Sequence, residues 1–258
     1  MPSWPSATIE ALESGLRRAF GAVPVMGAEL ECYVTLAPDQ VEPFWRAVSL
    51  VMDAAGAPFE RIEKERGTHQ YELIFPPVSP TQLAANLAAA KQAVEDEAHT
   101  RGVSYSFAAR PFPDEPSSGL HIHVHLENAA GEYLYHKRED TMSSALKYSL
   151  GGLLQGMAED MAIFCPHPHS LARFEDKDHV PRSFCWGVNN RYAALRIPAE
   201  RDPYRKRIEH RMAGADAEPE AVIAAILRRL TEGLEQKLEP PPQEYGKPQS
   251  IFSLQITD

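Results

Sequence analysis

Cysteine is scarce in this chain. Cys32, Cys165 and Cys185 are the only three, widely separated and odd in number. They suit neither a disulfide framework nor a zinc ribbon. Long apolar runs are also missing, and nothing reaches the ~18 residues of a membrane helix. The opening residues, Met1 to Ala7, hold no basic segment followed by an apolar one. The expectation is a cytoplasmic protein with no membrane partner. Positive charge is in deficit: 26 Lys and Arg stand against 36 Asp and Glu, a net charge of −10. That argues against a nucleic-acid backbone as a general partner. It fits a protein whose carboxylates are partly neutralised by cations. Glycine-rich phosphate loops do not occur either, neither GxxxxGKS/T nor GxGxxG.

What is present is enough for a substantial core: 258 residues, 43% of them hydrophobic. The chain suits one domain, residues 1–258, with a leading helical segment (1–24) and an extended tail (239–258). Ile9, Leu12, Leu16 and Phe20 keep helical spacing. A strand is expected from Gly27 to Leu36, then a helix over Val41–Ala55 stopped by Gly56 and Pro58. Strands near Glu60–Glu65 and His69–Phe75 precede a helix from Pro80 to about Thr100. A short strand at Val103–Ala108 and a proline-rich loop follow. Asn128–Gly131 reads as a hairpin turn returning through Tyr133–Tyr135. Leu146 to Met161 predicts one long helix, and Pro166–Pro181 a long loop of the kind that often carries function. Strands near Ser183–Trp186, Ala193–Ile197 and Arg205–Met212 lead to a last helix through Val222, Ile226 and Leu230. Strands fall in hairpin-like pairs, so the fold class is α+β with a mainly antiparallel sheet.

The richest segment is Ser118–Leu126, Ser-Gly-Leu-His-Ile-His-Val-His-Leu. Alternate side chains of a strand point to opposite faces. His121, His123 and His125 therefore share one face, suited to a metal ion or a phosphate. Glu29 and Glu31 bracket Leu30 in the same manner, and two carboxylates so close need a cation or a proton between them. A solvated edge strand is the bland alternative. Glu65 and Glu72 flank a short turn whose ends would meet in a hairpin. Arg205, Arg207, Glu209 and Arg211 alternate in another strand, where an exposed salt-bridge ladder is the competing reading. Arg191 and Arg196 add planar guanidiniums suited to anionic oxygens. Oxygen-rich sites with one imidazole suit Mg²⁺ or Mn²⁺, and the nearby arginines suit a nucleotide. By its physics the set is a phosphoryl-transfer site. Cys165, His167 and His169 form a weaker candidate, since their spacing matches no zinc motif.

At these residues the chain resembles the catalytic domain of glutamine synthetase. Glu29-Leu30-Glu31 is similar to the family's Glu-x-Glu strand. Glu65 to Glu72 resembles its Glu…Gly-Gln-x-Glu segment, and Ser118 to His123 its Gly-Ser-Gly-Met-His-x-His motif. Ser170–Arg173 resembles Asn-Ser-Tyr-Lys-Arg. Asn190–Pro198 resembles the family's Asn-Arg-Ser-Ala-x-Ile-Arg-Ile-Pro, and Arg207–Arg211 its Arg-Ile-Glu-x-Arg. The resemblance implies a curved, mainly antiparallel sheet with helices on its outer face. It implies one divalent ion on Glu31, Glu65 and Glu72, and another on Glu29, His121 and Glu209. Arg191, Arg207 and His123 would contact ATP. Arg173, with Ser117 and Glu31, would hold an amino-acid substrate, and Arg196 and Arg211 the transferred phosphoryl group and reacting carboxylate.

Departures from the family pattern shape the functional expectation. The family's small N-terminal β-grasp domain, and an aspartate it contributes to ammonium deprotonation, have no counterpart here. The flap glutamate is His179, with Glu175, Asp176 and Asp178 nearby, and an Asn-Gly pair is Pro116-Ser117. The expected activity is an ATP- and divalent-metal-dependent carboxylate–amine ligase acting through an acyl phosphate. Its substrates would be glutamate and an organic amine. The rivals are a nucleotide-binding regulator without turnover and a zinc hydrolase built on His121, His123 and His125. The resemblance leaves homo-oligomer formation open.

Overall fold

The computed structural model describes residues 8–136, 142–176, 179–199 and 206–252. Helix α1, Ile9–Phe20, starts where the Thr8 hydroxyl accepts from the Ala11 N–H. It ends at Gly21, whose φ of 62° is left-handed and costs glycine little. Strand β1, Val23–Val34, follows at once and becomes the middle of the molecule. Helix α2 is Val41–Ala54. Strands β2 (Arg61–Lys64) and β3 (Gln70–Val78) form a hairpin. Helix α3, Pro80–Arg101, is capped by the Ser79 hydroxyl with proline in its first turn. Strands β4 (Tyr105–Ser106) and β5 (Leu120–Glu127) come next. Helices α4 (Ser144–Gln155) and α5 (Met161–Phe164) precede a 3₁₀ helix, Pro168–Glu175. Strands β6 (Ser183–Val188), β7 (Ala193–Ile197) and β8 (Ile208–His210) lead to α6, Pro219–Gln236. Among the described residues no helix is long and apolar enough to cross a membrane.

The eight strands form one sheet in the order β2-β3-β1-β5-β8-β7-β6, with β4 beside β1. All pairs are antiparallel except β6 with β7. The register divides the side chains into two sets. Glu29 opposes His121, Glu31 opposes Glu72, and Glu209 opposes both His123 and Arg196. Leu30, Leu73, Leu120, Ile122, Val124 and Ile208 occupy the alternate positions and are completely buried. Each such side chain contributes about 1.5–3 kcal/mol of transfer free energy. Helix α3 covers this apolar face at β1 and β3, and α6 packs on α1, α3 and α4. The sheet thus has one face sealed by helices and one open face of acids, imidazoles and guanidiniums.

The structure corrects several expected elements. The predicted long helix breaks after Gln155 into a turn and the short α5. The predicted Pro166–Pro181 loop contains the 3₁₀ helix. The strand expected over Arg205–Met212 contracts to three residues, and Arg205 lies outside the described residues, as does Asp178. The hairpin return is a single bridge, Glu127 to Tyr133. Only residues 189–192 link the parallel pair β6 and β7. Asn189, at φ 52°, turns the chain, and its N–H donates to the Ile197 carbonyl at 2.8 Å.

Candidate active site

The open face carries two overlapping triads of ligand-type side chains. One is Glu29, His121 and Glu209; the other is Glu31, Glu72 and His121. Within each, one donor atom per residue lies within 4.8 Å of the others. His121 Nδ1 is 3.1 Å from Glu29 Oε2 and 3.8 Å from Glu209 Oε1. Glu31 Oε2 accepts from the Gly119 N–H at 2.8 Å. Gly119 is required at this approach, because a Cβ there would sit 2.7 Å from both Arg173 Nη2 and His121 Nε2. The triads line a cavity of about 210 Å³.

Arginines close the ring. Glu209, fully buried, takes Arg196 Nη1 at 2.6 Å on one oxygen and Arg211 Nη1 on the other. Arg211 Nη2 also donates to the His179 carbonyl at 2.7 Å. Arg173 is 1% exposed, and its Nη1 donates to the Arg211 and Met212 carbonyls at 3.0 and 2.8 Å. Those bonds fix its guanidinium in the cavity wall together with Ser117, His179 and Arg191.

A second cavity of about 270 Å³ adjoins the first across Glu29 and is lined by His123, His125, Tyr133 and Arg207. Arg207 Nε donates to His123 Nδ1 at 3.0 Å. A guanidinium can only donate, so that nitrogen is the acceptor and Nε2 bears the proton. Nε2 then donates to Glu29 Oε1 at 3.0 Å. His125 stacks on Tyr133 with ring centroids 4.2 Å apart and planes 4° apart.

The electrostatics fit a divalent cation. Burial, then repulsion from Glu29, Glu31 and Glu65, pushes Glu72 up to about 9. Burial pushes Glu31 up to about 7, against the hydrogen bond from Gly119. Burial also pushes Glu29 and Glu209 upward, but the imidazoles and Arg211 outweigh it and hold both below the usual carboxylate range. Burial and Arg211 lower His121 to about 4, which leaves its imidazole neutral and able to ligate. A cage short of positive charge at Glu31 and Glu72 takes either protons or a metal ion, and its carboxylates with one imidazole suit Mg²⁺ or Mn²⁺.

A family model described as the catalytic domain of glutamine synthetase matches residues 21–251. The chain belongs to the glutamine synthetase catalytic-domain family. Gamma-glutamylputrescine synthetase of Escherichia coli K12 is 38% identical over 150 residues, 58% of this chain and 32% of that protein. Gamma-glutamylethanolamide synthetase of Streptomyces coelicolor is 28% identical over 209 residues, 81% of this chain and 44% of that one. Glutamine synthetase of Pyrococcus abyssi is 30% identical over 202 residues, 78% and 45%. The chain thus spans less than half the length of these relatives. Two solved structures share the fold. The GmaS/ADP complex superposes with TM-score 0.78 at 23% identity, covering 92% of this chain and 61% of that one. Plasmodium falciparum glutamine synthetase gives 0.82 at 16%, covering 90% and 56%.

The family motifs fall on adjoining walls. Glu29, Glu31, Glu65, Glu72, Ser117, His121, Arg173, His179, Arg191, Arg196, Glu209 and Arg211 line the first cavity, and His123 and Arg207 the second. Glu65 lines the cavity but falls outside both triads, whereas His121 belongs to both. The three histidines do not converge on one point. His125 turns to Glu127 at 2.8 Å and to Tyr133, so the zinc-hydrolase reading has no tri-imidazole cage among the described residues. Cys165, His167 and His169 also form no such group: Cys165 is buried against the Met212 carbonyl while the two imidazoles stack on each other. Glu63, Arg61 and Arg66, which the sequence patterns did not mark, also line the first cavity, and so does Asp176, one of the acids expected beside His179. Glu63 was findable, since it opposes Glu72 and shares the strand period with Glu65. Asp176 is held there by its place at the end of the 3₁₀ helix and by Ser117, whose N–H it accepts at 3.0 Å.

Proposed function

We propose that this chain is an ATP- and divalent-metal-dependent carboxylate–amine ligase joining glutamate to an organic amine. The observation that carries the reading is the pair of overlapping triads, sharing His121, on a face ringed by guanidiniums. The family and its gamma-glutamylamide-forming relatives support it. Glu29, His121 and Glu209 would hold one cation, and Glu31 and Glu72, with His121 shared and Glu65 on the cavity wall, the other. Bound there, the ions would neutralise phosphate charge.

Arg207, Arg191 and His123 bind the triphosphate, with His123 held in one tautomer by Arg207. Arg173, Ser117 and Glu31 orient the amino acid. The γ-phosphoryl group passes from the ADP oxygen to the side-chain carboxylate of glutamate, while Arg196 and Arg211 offset the moving charge. The amine nitrogen then bonds to the acyl carbon, the C–O bond to phosphorus breaks, and phosphate leaves with the electron pair. An amine that arrives as an ammonium loses one proton before it attacks and a second as the amide forms, with His179 placed at the cavity wall to take one of them. Consumption of ATP fits a cytoplasmic address.

The test is ATP turnover with Mg²⁺ or Mn²⁺ across amino acids, with hydroxylamine as the nucleophile. γ-Glutamyl hydroxamate formed in step with ADP is the expected result. ADP release that does not depend on an acid, or nucleotide binding without turnover, contradicts the ligase reading and leaves the regulator.

A further inference from the structure

Beside the catalytic cavity lies a groove of about 350 Å³ that the reading above leaves without a role. The two spaces adjoin, and His179 and Arg191 line both. The β6–β7 turn forms one wall and residues 244–246 of the tail the other. Asn190 ties the walls together from behind. Its Nδ2 donates to the Gly246 and Glu244 carbonyls at 2.8 and 3.3 Å, and its Oδ1 accepts from the Tyr192 N–H at 3.0 Å. The Glu244 N–H donates to the Trp186 carbonyl at 2.9 Å. These bonds preform the groove without any ligand.

The lining differs from that of the catalytic cavity. Val188 is 50% exposed and Tyr245 79%, so the groove presents apolar surface at its rim. The face of Tyr192 already receives the Lys247 ammonium, 4.9 Å from the ring centroid. His179 stands at the junction, its ring 6.2 Å from that of Tyr192. Among the described residues Arg191 and Glu244 are the charged side chains that line the groove.

Resting on the ligase reading, we propose that this groove is the subsite for the body of the amine co-substrate and selects primary monoamines with an apolar or aromatic body. The reacting nitrogen passes His179 and Arg191 into the catalytic cavity, while the body lies against Val188 and Tyr245. A diamine is disfavoured, because its second ammonium would have to lie against the apolar surface of Val188 and Tyr245. A nucleophile without a body, such as hydroxylamine, makes no use of the groove.

The test compares phenethylamine, 1,4-diaminobutane and hydroxylamine as nucleophiles for the full chain and for Tyr245→Ala and Val188→Glu. Neither residue lines the catalytic cavity. The expected result is a preference for phenethylamine over the diamine. Each substitution should lower kcat/KM for phenethylamine at least tenfold while hydroxylamine stays within twofold. Parallel loss for both nucleophiles, no loss for either, or a preference for the diamine overturns the inference. If hydroxylamine itself yields no hydroxamate, the ligase reading has failed, and the groove is tested by binding alone. Saturable quenching of tyrosine fluorescence by phenethylamine, lost in Tyr245→Ala, supports the groove, and its absence overturns it. Cross-linking of Tyr245 to a second copy of the chain in solution also overturns it.

Discussion

Replacing Glu31 by Gln should make the metal-free protein more stable and the enzyme inactive. Glu31 is pushed from 4.5 to about 7, chiefly by burial. The folded state therefore holds this proton more tightly than the unfolded chain does. Stability from this group is full below about pH 4.5, falls as pH rises towards 7, and is level above that. At about 1.4 kcal/mol per pKa unit, the deficit at pH 8 is about 3 kcal/mol. Glutamine has nearly the same shape, and its amide oxygen can still accept from the Gly119 N–H. In chelator at pH 8, Glu31→Gln should therefore gain up to about 3 kcal/mol by urea denaturation. For a chain of this size that is roughly 6–12 °C in Tm. At pH 5 the gap should shrink below about 1 kcal/mol, because the wild-type carboxyl is already mostly neutral. Added Mn²⁺ should stabilise the wild type more than the variant. A variant no more stable than wild type at pH 8, or a gap equal at both pH values, refutes the reasoning.

Three further outcomes follow from the packing around the site. Gly119→Ala forces a methyl group against Arg173 Nη2 and His121 Nε2, so hydroxamate formation should fall about 100-fold with the circular dichroism spectrum retained; a loss under threefold contradicts this. Arg207→Lys keeps the charge but loses the Nε–H donated to His123, so KM for ATP should rise at least about tenfold while KM for glutamate stays within twofold. Equal rises in both would assign Arg207 a merely structural role. Far from the site, Arg229→Ala strips two hydrogen bonds, at 2.8 and 3.1 Å, from the fully buried Asp160, with Arg228 left as its partner. Urea denaturation should register a loss of about 3 kcal/mol, and a loss below about 1 kcal/mol contradicts the account.

How much of this could be read from the sequence depended on the range of the interaction. The alternation of His121, His123 and His125 with Leu120, Ile122, Val124 and Leu126 is a period-two signal, and the strand obeys it. Glu29 and Glu31 follow the same rule. Helices α1 and α3 carried both their spacing and their caps in the chain. The break after Gln155 was hidden because apolar spacing continues to Met161. The structure stops α4 where Gly156 lets Arg229 of α6 approach, its Nε 1.9 Å from where a Cβ would stand. Parallel pairing of β6 and β7 was equally hidden, since a link of four residues ordinarily reads as an antiparallel turn. Partnerships such as Arg207 with His123, or Asp176 with Ser117, depend on tertiary distances that no local pattern encodes.

The central claim is that acids from β1, β3 and β8 and the imidazole of His121 form two cation sites that share one ligand. Titration of Mn²⁺ into the full chain, followed by electron paramagnetic resonance with and without a non-hydrolysable ATP analogue, tests it most directly. Two bound Mn²⁺ per chain are predicted, with one lost in Glu209→Gln, the other lost in Glu72→Gln, and both weakened in His121→Ala. No saturable Mn²⁺ binding, or binding indifferent to all three substitutions, contradicts the account.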